Sequence, residues 1–231
     1  MNNELLKLID VSKTYKKGNV ETQALRHFNY SFSGGKLYAI VGHSGSGKST
    51  LLQICGLLNK KSNGNLYIFN NDVDKLSDDQ KCSYRNLGIG FMFQEFYLDD
   101  DLSSIDNVML PYYIGFKSKD YKEKQEKIKV MFNEFGLSGK ESSKPSELST
   151  GQNARVSFMR SLVNDPDLIL ADEPTGNLDK NNEDIIFKML RHQADEGKCV
   201  IVVSHSDEIK KYADTVIRIE NGEIVNEQYI R

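Results

Sequence analysis

The run Gly42-His43-Ser44-Gly45-Ser46-Gly47-Lys48-Ser49 constrains this chain more than any other feature. It fits the spacing G-x-x-x-x-G-K-[ST], and its flanks are those the spacing requires. Lys36-Leu37-Tyr38-Ala39-Ile40-Val41 is a nearly unbroken apolar run, as expected of a parallel strand buried on both faces. Lys48 to Leu58 then reads as a helix. In such a strand, loop and helix the glycines let successive N–H groups turn inward onto phosphate oxygens, and the helix N-terminus adds its dipole. Lys48 is placed to reach the outer phosphates and Ser49 to ligate Mg²⁺, with Thr50 beside them.

A second buried strand, Leu168-Ile169-Leu170-Ala171, ends on Asp172-Glu173. Alone, this is an ordinary core strand with an acidic end. Together with the phosphate loop it suits a magnesium-binding aspartate, Asp172, followed by a carboxylate, Glu173, able to take a proton from an attacking water. Val200 to Val203 forms a third buried strand, and the amphipathic segment Glu183 to Glu196 between the two completes a βαβ unit.

The rest of the chain frames these pieces. Leu5 to Tyr15 and Thr22 to Phe32 read as strands joined by a turn at Lys16-Lys17-Gly18-Asn19. From about Phe96 to Val163 the pattern turns mostly helical, including Lys119 to Phe135 with Glu123 and Lys127 spaced i,i+4. Lys117 to Lys129 reads as a solvated helix face and Asp99-Asp100-Asp101 as an exposed loop. Thr215 to Glu220, Asn221-Gly222 and Glu223 to Gln228 spell a hairpin. One domain of 231 residues, 1–231, is expected, with a helical lobe over about 96–163.

Composition removes whole classes of function. A net charge of -3 and a pI near 5.9 offer no basic field for DNA or RNA, so no nucleic-acid partner is expected. The N-terminus lacks a basic segment followed by an apolar one, and no run of about 18 apolar residues occurs, so neither a secreted nor a membrane-spanning chain is expected. Cys55, Cys82 and Cys199 are few, odd in number and far apart, which fits reduced thiols better than disulfides or a metal site.

Leu148-Ser149-Thr150-Gly151-Gln152 resembles the signature of ABC-type ATPases and lies upstream of the acidic strand, where that family has it. Read locally, the same residues are a capping box, Ser149 at N-cap and Gln152 at N3, opening a helix to about Val163. The readings agree physically, because a capped helix N-terminus with a close-approach glycine also suits a phosphate. The resemblance covers roughly Leu5 to Gln228. It implies that Tyr15 stacks on adenine, although an exposed or core tyrosine is the local reading. It implies that Gln94, ending Gly90-Phe91-Met92-Phe93-Gln94, senses Mg²⁺ and the attacking water, and that His205 reaches the γ-phosphate; Asn177-Leu178-Asp179 matches a further family loop.

From this resemblance follows an α/β P-loop NTPase fold: a mostly parallel core sheet, an antiparallel β lobe and an inserted helical lobe. It also implies ATP and Mg²⁺ as cofactors, catalytic roles for Glu173, His205 and Gln94, and Ser49, Gln94 and Asp172 at the metal. An ATP-dependent homodimer is expected, in which Ser149, Gly151 and Gln152 face the nucleotide of the other copy. A separate transmembrane permease is the implied partner, holding the chain at the cytoplasmic face of the membrane. Glu173 to Asp179 and the stretch from Phe91 to Pro111 look like the MacB and LolD branch, with a regulatory cell-division branch closely similar. Soluble relatives of DNA repair or translation carry a coiled-coil insertion or tandem cassettes, which this sequence lacks. Three stretches depart from the pattern: Thr150 in the signature, Asn153-Ala154-Arg155 where the family commonly has Gln-Gln-Arg, and Ser206 after His205 where Asp is usual.

Overall fold

The computed structural model describes residues 4–18, 20–115 and 121–231. The expected β lobe begins with two long strands, β1 (Glu4–Lys17) and β2 (Val20–Ser33), paired antiparallel. Asn19, the tip of the expected turn between them, lies outside the described residues.

Six strands form the central sheet: β3 (Lys36–Val41), β6 (Ile89–Met92), β7 (Leu168–Asp172), β8 (Cys199–Val203), β9 (Thr215–Glu220) and β10 (Glu223–Tyr229). Their order is β10-β9-β3-β8-β7-β6, and every pairing except the terminal β9–β10 hairpin is parallel. Parallel strands covered on both faces need apolar side chains in both directions, and each face of this sheet carries its own cluster. Tyr38, Ile40, Leu168, Leu170, Ile201 and Ile217 point to one side, while Leu37, Ala39, Ile169, Ala171, Val200 and Val202 point to the other.

On the first face lie α1 (Lys48–Cys55) and the antiparallel sheet, sharing one core with the parallel strands. The second face packs against α5 (Thr150–Leu162) and α6 (Lys180–Asp195) through Ala154, Phe158, Phe187 and Leu190. A third cluster joins α5 to α3 (Ser104–Gly115) and α4 (Tyr121–Glu134) through Val108, Met109, Phe132 and Val156. The helical lobe therefore hangs from the far side of α5. The Glu123–Lys127 pair forms on α4 at 2.7 Å. The start expected for this helix, and part of the Lys117 to Lys129 face, lie outside the described residues.

Several boundaries differ from expectation. The phosphate-loop helix stops at Cys55 rather than Leu58, because Gly56 caps it and Leu57 turns left-handed at φ 57°. The antiparallel sheet is not built from the N-terminus alone: β4 (Asn63–Ile68) and β5 (Asn71–Asp72), which follow α1, extend it in the order β2-β1-β4-β5. A short helix, α2 (Asp78–Ser83), and a π-helical turn at Tyr84–Gly88 precede β6, ahead of the expected helical lobe. Its Ser77–Gln80 capping box was present in the sequence as S-x-x-Q. Asp99, Asp100 and Asp101 are exposed, as expected.

Candidate functional site

Adjacent parallel strands bring three chain crossings to one edge. The loop 42–47 leaves the carboxyl end of β3, Ser204-His205 leaves β8, and Asp172-Glu173 ends β7. In an open α/β sheet, ligands settle at this end. A cleft of about 160 Å³ opens there, lined by Ala24, Ser44, Gly45, Gly47, Lys48, Ser49, Thr50, Glu173 and His205.

Local chemistry fixes the loop. Gly47 has φ 106°, and a Cβ there would meet the Ala24 carbonyl oxygen at 2.3 Å, so both conformation and space demand glycine. The hairpin turn braces the loop from outside: Gly222 N–H donates to the Ser46 carbonyl at 2.9 Å, and Arg26 N–H donates to the Gly222 carbonyl at 3.0 Å. The sequence announced Asn221-Gly222 as a turn, but nothing in it announced this bracing role. Ser46 Oγ is buried without a hydrogen-bond partner among the described residues.

Lys48 Nζ donates to the carbonyls of Gly42 and His43, each at 2.9 Å. An ammonium has three donors, so this geometry leaves one for a phosphate oxygen. His43 itself turns outward, its Nδ1 2.8 Å from the Ser44 carbonyl. Ser49 Oγ donates to Asp172 Oδ1 at 3.0 Å, and His205 Nε2 lies 2.7 Å from Glu173 Oε1. A carboxylate only accepts, so Nε2 carries the proton of that contact. Glu173 adopts φ 49°, and its N–H is tied to the Val203 carbonyl at 2.9 Å, which aims the side chain over the cleft.

Burial dominates the electrostatics. It pulls the Lys48 ammonium below its ordinary pKa against the opposing pull of Glu173 and Asp172. Burial likewise pushes the Asp172 carboxyl up, opposed by the Ser49 hydroxyl and by Lys48. A cation at Asp172 would reverse that preference. No group of three or more His, Cys, Asp or Glu side chains able to hold a metal occurs among the described residues. Mg²⁺ needs no such group, since it is held by one or two protein oxygens together with phosphate and water. Ser49 Oγ and Asp172 Oδ1, two hard oxygens 3.0 Å apart at the mouth of the phosphate loop, fit it.

This imbalance has a measurable sign. The folded chain holds the Asp172 proton more tightly than the unfolded chain, so the stability it contributes falls as pH rises through its raised pKa. Asp172→Asn keeps an oxygen for Ser49 and removes the buried charge. In metal-free buffer at pH 7 it is expected to raise Tm by about 1–3 °C, after discounting for solvent screening. The gain should shrink towards acid pH. A lowered Tm at pH 7 would show that the carboxylate stabilises the empty fold instead.

Tyr15 stands beside the cleft, 39% exposed, its hydroxyl 3.5 Å from Thr50 Oγ1. Gln94 is exposed and leans towards Gly176, where an added Cβ would lie 3.4 Å from Gln94 Nε2; it does not line the cleft. Ser149, Gly151 and Gln152 are not brought to the cleft either. They open α5 elsewhere, with Ser149 exposed and the capping box formed: Ser149 N–H donates to Gln152 Oε1 at 2.8 Å, and Gln152 N–H to Ser149 Oγ at 3.3 Å. Gly151 has a packing reason of its own, because a Cβ there would meet Asn182 Oδ1 at 2.1 Å. Asn182 is held by Asp179, the N-cap of α6, so the loop Asn177-Leu178-Asp179 and the start of α5 meet at this point.

Cys55 and Cys199 are buried, where burial pushes both thiols up, and all three cysteines are free. No helix among the described residues is long and apolar enough to cross a membrane.

Residues 25–176 match the family model described as ABC transporter. The macrolide export ATP-binding/permease protein MacB of Chlorobium phaeobacteroides is 41% identical over 227 residues, covering 98% of this chain and 34% of that protein. This chain thus spans about a third of the length of the MacB relatives it matches. An uncharacterized ABC transporter ATP-binding protein of Bacillus subtilis, YvrO, is 39% identical with 96% of each chain covered. Among solved structures, the dimeric post-hydrolysis state of the ATP-binding cassette MJ0796, bound to ADP and Pi, superposes with a TM-score of 0.90 at 36% identity, covering 98% of this chain and 99% of that one. On the family model, the relatives and the fold together, the chain belongs to the ABC transporter family as an ATP-binding cassette ATPase.

Proposed function

We propose that the chain hydrolyses MgATP in two shared sites of a homodimer and thereby drives a membrane permease of the MacB and LolD kind. The observation that carries this reading is the convergence of Lys48, Glu173 and His205 on one cleft, with Asp172 bonded to Ser49 at its mouth. Lys48 and the N–H groups of 42–50 hold the phosphates, and Tyr15 stacks on the adenine. Ser49 and Asp172, with Gln94, would hold Mg²⁺, which would neutralise phosphate charge there, and Gln94 would order the attacking water. Glu173 takes the proton of the attacking water, and His205 keeps that carboxylate in place and reaches the γ-phosphate. Ser149, Gly151 and Gln152 of a second copy close the site. The chain works as a single ATPase unit over its 231 residues.

A permease segment docks in the groove of about 430 Å³ between the turn at 84–88, β6, α3 and α5. Supporting this are its lining by Phe93 and Tyr97, on either side of Gln94 in the chain, and the exposure of Tyr97 (68%) and Ile114 (81%) on its wall. Arg160 holds that wall by donating to the carbonyls of Phe96 and Tyr97, both at 2.6 Å. The MacB relatives, named as ATP-binding/permease proteins, supply the class of partner. Docking holds the chain on the cytoplasmic face of the membrane.

Changing Tyr97→Ala and Ile114→Asp together tests the docking. Recovery of a membrane protein with the chain from detergent-solubilised cells should fall by about tenfold or more, as loss of a buried apolar anchor does. Nucleotide affinity of the purified chain should be unchanged. Full recovery with the double variant would place the permease contact elsewhere.

A further inference from the structure

Behind Tyr15 lies a set of contacts that none of the motifs explains. Lys13 Nζ sits 4.8 Å from the centroid of the Tyr15 ring. It donates to Asn59 Oδ1 at 2.9 Å and to the Lys60 carbonyl at 2.6 Å. Because an ammonium offers only donors, the Asn59 carboxamide must present its oxygen to Lys13, and its NH₂ therefore faces the other way. That NH₂ donates to the Tyr15 hydroxyl at 2.8 Å. Asn59 is itself anchored to the end of the phosphate-loop helix, its N–H donating to the Gln53 carbonyl at 3.1 Å. The same hydroxyl stands 3.5 Å from Thr50 Oγ1, on the first turn of that helix.

The ring is thus fixed at its hydroxyl by both ends of α1 and covered on one face by a cation. We propose that Lys13 and Asn59 are positioning residues, which clamp Tyr15 as a one-sided stacking platform and so tie recognition of a purine base to the phosphate loop. This rests on the reading of Tyr15 as the adenine platform. Lys13 acts through Asn59, whose amide orientation it dictates, and through the ring it covers. The attraction between the cation and the ring face it covers helps hold the ring in place, and the opposite face is left to the base.

Two probes separate base recognition from phosphate recognition: a non-hydrolysable ATP analogue and inorganic tripolyphosphate, each titrated calorimetrically with Mg²⁺ into the full chain. Lys13→Met and Asn59→Leu are each expected to weaken the analogue about three- to tenfold and to leave tripolyphosphate within about twofold. Asn59→Leu is informative because it keeps the volume while removing both the acceptor for Lys13 and the donor for Tyr15, whereas a carboxylate there could still accept from the Tyr15 hydroxyl. Lys13→Arg, which keeps donors and cation, should restore analogue affinity to near wild type. In a Tyr15→Ala background neither change should cost anything further.

Equal loss of tripolyphosphate binding would overturn the proposal, since Lys13 would then act on the phosphates or the loop itself would be disturbed. So would an undiminished effect in the Tyr15→Ala background. Should Tyr15→Ala alone leave the analogue unaffected, the platform reading fails and the clamp fails with it, while the phosphate-loop assignment stands on its tripolyphosphate affinity. That affinity also certifies that each variant is folded at the site.

Discussion

Glu173→Gln is expected to lower ATP turnover by about 100-fold or more while changing MgATP affinity by less than about threefold. The reasoning begins with geometry. Glu173 follows β7 in a left-handed conformation that costs about 1 kcal/mol or more, held there by its N–H bond to the Val203 carbonyl. Glutamine bears the same backbone cost and nearly the same volume, and its amide oxygen still accepts from His205 Nε2, 2.7 Å from Glu173 Oε1. What it loses is basicity. On the proposed reading binding rests on Lys48, the loop N–H groups and Ser49, none of which changes, so the loss should fall on kcat alone. The variant should therefore accumulate with ATP bound. Single-turnover hydrolysis measured beside equilibrium nucleotide binding checks both halves, and turnover at the wild-type rate would remove Glu173 as the base.

That much of the site was legible in the sequence because its signals are local. The loop 42–49, the acidic strand end and the capping box at Ser149 each need only a few consecutive residues of a given chemistry, and strand periodicity placed β3, β7 and β8 around them. Long-range contacts left no such trace. Nothing in Asn221-Gly222 reveals that its glycine braces the Ser46 carbonyl, and nothing in Asn59-Lys60 reveals that the asparagine holds a tyrosine 44 residues earlier in the chain. The missed strands β4 and β5 share a cause. Asn63-Gly64-Asn65 and Asn70-Asn71-Asp72 carry turn residues, and the pairing of β4 with β1 and of β5 with β4 overrides a poor local propensity. Gly151 shows the reverse case, in which one residue has two sufficient reasons. Its motif suggests a phosphate, while its missing Cβ makes room for Asn182. Thr150, by contrast, is exposed at N1 of α5, where a side chain is accommodated.

Chains carrying Lys48→Ala and Ser149→Arg are each expected to be inactive as homodimers, with ATP affinity of the first reduced by about 100-fold or more, yet to regain ATPase activity when paired. The expectation follows from where the two residues lie. Lys48 is buried at the back of the cleft, whereas Ser149 is exposed at the start of α5 and does not line it. If the cleft is completed by α5 of a second copy, a mixed dimer contains one site with both lesions and one with neither. The intact site joins the phosphate loop of the Ser149→Arg chain to the α5 turn of the Lys48→Ala chain. With independent sites, purified mixed dimers should reach about half the wild-type rate per dimer. Were each site complete within its own chain, pairing would restore nothing. Loss of the Ser149 cap costs α5 about 1 kcal/mol, small enough that the chain stays folded, which a melting curve verifies. Sites obliged to fire together would also be silent, so ATP-dependent closure is followed by crosslinking in the same mixed dimers. Closure without turnover supports a shared but concerted pair, and neither closure nor turnover rejects the shared site.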